Sequence, residues 1–146
     1  MIKEVKFYET GAINDNKLAY AVIAAKYRGQ WLYVRHRERE TWEIPGGHRE
    51  ENETIYDTAS RELVEETGAV KFSLTPVCIY SVVREDAERS ETFGQLFYSE
   101  VETLDSQLLF ETAEVKLFDD IPDNLTYPMI QPFLHRKVEE FLESCN

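Results

Sequence analysis

The chain has 146 residues and only two cysteines, Cys78 and Cys145. Two cysteines cannot build a disulfide framework, and these lack the spacing of metal-ligand pairs. Cys78 lies in an apolar run and reads as core packing; Cys145 reads as an exposed thiol. Positive charge is also scarce: 16 Lys and Arg stand against 28 Asp and Glu, a net charge of −12. That balance excludes a general nucleic-acid-binding protein, which needs a basic face. No apolar run approaches the length that crosses a bilayer, so no membrane partner is expected. Residues 1–10 lack the apolar core of a signal peptide, so a cytoplasmic location is expected. Repeats, low-complexity tracts and linkers are absent too. One domain over residues 1–146 is expected, with material for a proper core.

The most informative stretch runs from Gly46 to Val70. Its hydrophobic spacing predicts a helix over residues 54–67. Ile55, Ala59 and Leu63 recur at four-residue steps and form the face to bury. Glu62, Glu65 and Glu66, at spacings of three and four, share another side. Asn52 and Thr54 are cap-type residues, and Asp57 follows Thr54 by three positions, as in a capping box. Gly68 suits a left-handed C-terminal cap. Ahead of the helix, Pro45 ends an extended segment, and Gly46-Gly47 permit a tight backbone path.

Three carboxylates crowded together repel. At about 4 Å each pair costs on the order of 1 kcal/mol in water and about 4 kcal/mol at an effective dielectric of 20. A fully solvated face tolerates that. So does a face that holds a hard cation, for which oxygen-only donors suit Mg²⁺ or Mn²⁺.

The full series is Gly47, five residues, Glu53, seven residues, Arg61-Glu62, Leu63, one residue, Glu65-Glu66, one residue, Gly68, Ala69. It resembles the Nudix box, the signature of the Nudix hydrolases. Every polar and glycine position is met; Ala69 alone departs, standing where the family prefers a larger aliphatic residue. The resemblance implies an α/β/α sandwich around a mixed β-sheet. It implies hydrolysis of a diphosphate linkage in a nucleotide derivative, with Mg²⁺ or Mn²⁺ as cofactor and a small-molecule nucleotide as partner; a homodimer is common for the fold. By the same resemblance Glu62, Glu65 and Glu66 are metal ligands, joined by the Gly47 carbonyl, and Glu53 with Arg61 is a supporting ion pair. A general base comes either from the box, Glu65 or Glu66, or from a later loop, where Glu111 is preferred over Glu114.

Phosphate contacts are expected from Arg35, Arg37 or Arg84, which sit in loops or at strand ends. Asn124, in a turn, is a candidate for reading a purine edge. His48 reads as a loop residue, and Trp42, Tyr33 and Phe97 as core aromatics. The short single domain is similar to the branch that sanitises nucleotide pools, acting on 8-oxo-dGTP or another nucleoside triphosphate. ADP-ribose or nucleotide-sugar cleavage is the alternative substrate class. A Nudix-fold module without catalysis would be expected to lack box carboxylates, and all are present. A prenyl diphosphate isomerase would need a cysteine in the site, where Cys78 fits poorly.

Around this stretch the chain reads as strands over residues 4–8, 17–26, 31–34, 74–83, 92–101 and 114–118. Arg28-Gly29 predicts a hairpin turn. Residues 35–41, 84–90 and 102–111 read as loops, and 119–127 as turn-rich. A last helix is predicted over 129–143, with Pro132 in its first turn.

Overall fold

The computed structural model describes residues 2–85, 88–105 and 112–145. Strand β1 (Ile2–Tyr8) is followed by β2 (Leu18–Tyr27), β3 (Gln30–His36) and the short β4 (Gly46–His48). Helix α1 (Ile55–Thr67) precedes β5 (Ala69–Phe72), β6 (Thr75–Glu85), β7 (Arg89–Leu104) and β8 (Thr112–Phe118), and α2 (Gln131–Ser144) comes last. The strands form one mixed sheet in the order β1-β6-β7-β2-β3-β8, with β4 attached to β2 and β5 to β7.

Each face of the sheet carries one helix. Ile55, Ala59 and Leu63 of α1 pack with Ala21, Ile23, Leu32 and Phe97 on one side. Leu134 and Val138 of α2 pack with Trp31, Tyr33, Leu96 and Tyr98 on the other. The expected α/β/α sandwich is therefore what forms. Tyr33 and Phe97 are fully buried core aromatics.

Helix α1 is set at both ends by local chemistry. Thr54 is the N-cap: its hydroxyl accepts the Asp57 N–H, and the Asp57 carboxylate accepts the Thr54 N–H. Such a box satisfies two donors that the first turn leaves open. Gly68 closes the helix in the left-handed conformation at φ 76°. The β2–β3 hairpin turns on Arg28 (φ 52°) and Gly29 (φ 81°), both in the region that two-residue hairpin loops require. In α2, Pro132 lies in the first turn, where its missing N–H costs nothing.

Three expectations differ in detail. Residues 84–90 and 102–111 read as loops; 86–87 and 106–111 lie outside the described residues, but β6 continues to Glu85, and β7 starts at Arg89 and runs on to Leu104. The registers Arg84↔Ser90 and Glu85↔Arg89 extend the β6–β7 hairpin well beyond its apolar part. β5, too short for its own pattern, forms by pairing with the end of β7. The tight backbone path expected at Gly46 and Gly47 is an extended one, in β4. Their lack of a side chain answers a shortage of space rather than a need for positive φ.

That short strand positions the site, because β2 changes partner along its length. Lys26 and Tyr27 pair with Trp31 and Gln30 of β3, whereas Tyr20, Ala21 and Val22 pair with His48, Gly47 and Gly46. β3 has moved away from β2 by then, and its Val34 bonds Glu43 in both directions, at 2.9 and 3.0 Å. A hollow opens where the strands part.

Candidate active site

The Gly46–His48 strand lies between β2 and α1. A β-carbon added to Gly47 would stand 2.5 Å from Cδ of Glu62, so the backbone and that carboxylate touch directly. The Gly46 N–H donates to Glu66 Oε1 at 2.7 Å. Glu66 is buried at 3% exposure. Its other oxygen lies 3.2 Å from His36 Nε2, which is also 3.4 Å from Glu43 Oε1. The hydrogen bond and charge of Glu66 raise the His36 pKa above the ordinary imidazole value, against the opposing effect of burial. Glu43, itself buried, is raised by desolvation, with His36 and Arg39 opposing.

Arg61 braces the other side. It forms a two-pronged pair with Glu53, Nε to Oε2 at 2.6 Å and Nη2 to Oε1 at 3.0 Å, and also donates to the His48 carbonyl at 3.0 Å. Glu53 in turn accepts the Glu50 N–H and the Thr58 hydroxyl, each at 2.9 Å. The loop ahead of α1 is thus fastened to the helix through one guanidinium. Hydrogen bonds from Arg61 lower the Glu53 pKa to about 2. Arg61 also donates to Glu62 Oε1 at 2.7 Å. Even so, burial and the nearby Glu66 and Glu65 push the Glu62 carboxyl up to about 7.

Glu62, Glu66, Gly46 and Gly47 line one hollow together with His36 and Arg37. It runs into a more apolar cavity of about 280 Å³ walled by Tyr20, Val22, Tyr80, Val82, Ile130 and Leu134. Gly46, Gly47, His48, Glu43 and Tyr127 belong to both. The donor set fits a hard divalent cation. The candidate ligands, the Glu62 and Glu66 carboxylates, offer oxygens alone, and a cation would offset the mutual repulsion of the two when both are ionised.

The site residues expected from sequence are spread over these surroundings. Glu62 and Glu66 line the hollow. Glu65 is 42% exposed in its side chain and lies 3.4 Å from Arg61. Arg37 borders the carboxylate hollow and Arg84 the apolar cavity. Arg35 is turned to Glu114, at 3.5 Å, and to the Arg39 carbonyl. Asn124 is exposed and donates to the Glu40 carbonyl at 3.0 Å, a loop-holding contact. Glu111 lies outside the described residues. His36 and Glu43 were not singled out by sequence. The available signal was the alternation in β3, which puts His36 on the same side as Leu32, the side that faces α1.

Residues 16–126 match the NUDIX domain family. A protein of Bacillus subtilis (strain 168), provisionally named an 8-oxo-dGTP diphosphatase, is 32% identical over 105 residues, 71% of this chain and 64% of that protein. The chain thus matches somewhat under two thirds of that relative's length. The crystal structure of a mutant of the Bacillus subtilis pyrophosphohydrolase BsRppH superposes with a TM-score of 0.81 at 26% identity, over 96% of this chain and 90% of that one. A C. elegans Ap4A hydrolase shares the fold at 20% identity, with a TM-score of 0.68 over 87% of this chain and 98% of that one. With every polar and glycine position of the box present and matches of this extent, the chain belongs to the NUDIX domain family.

Proposed function

We propose that the protein is a divalent-metal-dependent hydrolase that cleaves a diphosphate linkage in a nucleoside triphosphate, with 8-oxo-dGTP or a related nucleotide as the favoured substrate. The observation that carries this reading is the pairing of Glu62 and Glu66 with the Gly46-Gly47 backbone at the mouth of an apolar cavity. The polar hollow suits the phosphate chain and the apolar one a base. The cavity volume is at the small end for ligand pockets, which favours a single base over a dinucleotide. The provisional name of the 32%-identical relative points the same way.

Glu62, Glu66 and the Gly47 carbonyl would hold Mg²⁺ or Mn²⁺, with Glu65, now beside Arg61, as a further candidate ligand. When bound, the ion offsets phosphate charge, polarises a phosphoryl oxygen and acidifies water. Arg61 fixes the rotamer of Glu62, and His36 with the Gly46 N–H fixes that of Glu66. Such outer partners orient the groups that bind the ion. Arg37 and Arg84, bordering the two cavities, supply positive charge for the phosphates. Proton removal from the attacking water falls to Glu65, Glu66 or Glu111.

The test is turnover of a panel of nucleoside triphosphates, ADP-ribose and nucleotide sugars with Mg²⁺, repeated with chelator. Glu66→Gln and Glu62→Gln should lower turnover by orders of magnitude at unchanged circular dichroism, and Glu111→Gln tests the outlying base. Wild-type turnover in either box variant, or full activity in chelator, removes the metal-ligand role. Preference for ADP-ribose or a nucleotide sugar would replace the substrate class and leave the metal site standing.

A further inference from the structure

Among the described residues, one group of side chains far from α1 has the donors of a metal site: Asp120, His135 and Glu139. His135 lies in α2, Glu139 follows one turn later, and Asp120 reaches them from the segment between β8 and α2. The decisive feature is His135. It is only 7% exposed, and its Nε2 makes no hydrogen bond. That nitrogen is aimed between the two carboxylates, 3.4 Å from Asp120 Oδ1 and 3.6 Å from Glu139 Oε1. The three donor atoms all lie within 4.8 Å of one another. In a tetrahedral zinc site, bonds of about 2.0–2.1 Å place neighbouring donors about 3.3–3.4 Å apart. The two distances from Nε2 are already close to that edge.

The surroundings hold the donors in place. Asp120 Oδ1 also accepts the Ile121 N–H at 2.8 Å, which orients the carboxylate. The Trp31 ring meets the imidazole nearly edge-on, with ring centroids 4.8 Å apart. Asp120 and Glu139 are 80% and 54% exposed in their side chains, so an ion and its completing water have a path in.

We propose that Asp120, His135 and Glu139 bind a second divalent ion of the Zn²⁺ class, as a structural clamp separate from the α1 carboxylates. An imidazole with two carboxylates suits Zn²⁺ rather than Mg²⁺. The site sits on the α2 face of the sheet, opposite α1. It ties residues 119–127 to the helix whose Gln131 and Leu134, with the N-cap Ile130, wall the apolar cavity.

The experiment is calorimetric titration of the full chain with Zn²⁺, on a Glu62→Gln/Glu66→Gln background that removes the α1 donors. Co²⁺ absorption in the visible gives a second, spectroscopic readout. One ion per chain should bind this background. Asp120→Asn and Glu139→Gln, both at exposed positions, should each weaken that uptake at least about tenfold, and His135→Gln should abolish it together with the Co²⁺ band. Circular dichroism checks that each variant is folded. No Zn²⁺ uptake by the background protein, or equal uptake with Asp120→Asn and Glu139→Gln added, overturns the proposal. Either result leaves the reading of the α1 site untouched.

Discussion

Replacing Gly47 by alanine should separate the chemistry from the fold. Gly47 is extended, in a conformation that alanine adopts freely. The new β-carbon would stand 2.5 Å from both Cδ and Oε1 of Glu62 and 2.8 Å from Oε2. Carbon contacts settle at about 3.5–4.0 Å, so the carboxylate must retreat by about 1 Å. It is the far end of a flexible side chain, and an off-rotamer adjustment costs only about 0.5–1.5 kcal/mol. Displacing a positioned group by about 1 Å can cost on the order of 100-fold in turnover. Gly46→Ala is the contrasting variant. Its β-carbon would lie 2.5 Å from the Ala21 carbonyl oxygen and 2.9 Å from the Val22 Cα, atoms of a paired strand that cannot swing aside. Overpacking of that kind costs about 1–3 kcal/mol or more. Thermal unfolding and Mg²⁺-supported release of phosphate or pyrophosphate, measured on both variants, decide the matter. Gly47→Ala should keep the wild-type midpoint to within a few degrees and lose activity, whereas Gly46→Ala should lose stability first. Undiminished turnover in Gly47→Ala, or destabilisation equal to that of Gly46→Ala, would refute the claim that this glycine exists to admit the Glu62 carboxylate.

Thr54→Ala removes the hydroxyl half of the α1 capping box and should cost about 1 kcal/mol, read from the urea midpoint at constant slope; no change would mean that tertiary packing alone sets the helix start. Glu53→Gln should make the protein less stable at neutral pH. Because the folded Glu53 pKa is lowered to about 2, its contribution is complete above the unfolded carboxyl value and lost as pH falls through about 2. The gap between wild type and Glu53→Gln should therefore narrow from about pH 5 downward; a gap independent of pH would show that the lost contact is not ionic. Nucleoside triphosphate binding, followed by calorimetry, should require Mg²⁺ or Mn²⁺, and equal affinity in chelator would contradict the charge argument for the hollow.

Helix α1 was readable because its signals are local. The capping box, the Gly68 stop and the four-residue apolar step all lie within one short stretch, and no partner strand is needed to interpret them. Strand β4 was not, since three residues that include two glycines carry no strand preference. They are a strand only because β2 offers Tyr20–Val22 as a pairing edge. The same division holds at the site. Glu62 and Glu66, one turn apart, point nearly the same way, and both enter the hollow. Glu65 is rotated by about 100° from Glu66 on the helix wheel, and its side chain stands nearer solvent, beside Arg61. Glu43 joins the site through its bridge to Val34, a pairing that no short window of sequence contains. Arg35 and Arg37 looked equivalent as loop or strand-end arginines. Only the pairing of β3 with β8 turns Arg35 toward Glu114 and leaves Arg37 beside the carboxylates.

The acidity of the chain bears on mechanism through where the charges lie. At physiological ionic strength, exposed charges beyond about 8 Å are largely screened, so the net charge of −12 says less about a ligand than the lining of its hollow does. Five carboxylates line that hollow: Glu38, Glu43, Glu50, Glu62 and Glu66. Against them stand two guanidiniums, Arg37 and Arg39, and two imidazoles, His36 and His48. Much of the positive charge is already engaged, since His36 bridges Glu43 and Glu66, and Arg39 pairs with Glu43 and Tyr127. A bare polyphosphate would meet a wall of its own sign. A polyphosphate that arrives with cations meets carboxylates already braced to receive them, by Arg61 on one flank and by His36 with the Gly46 N–H on the other. On the proposed function, the acidic lining would act as a selectivity device as well as a metal holder. It would admit the phosphate chain in its metal-bound form and would leave the choice of nucleotide to the apolar cavity next to it.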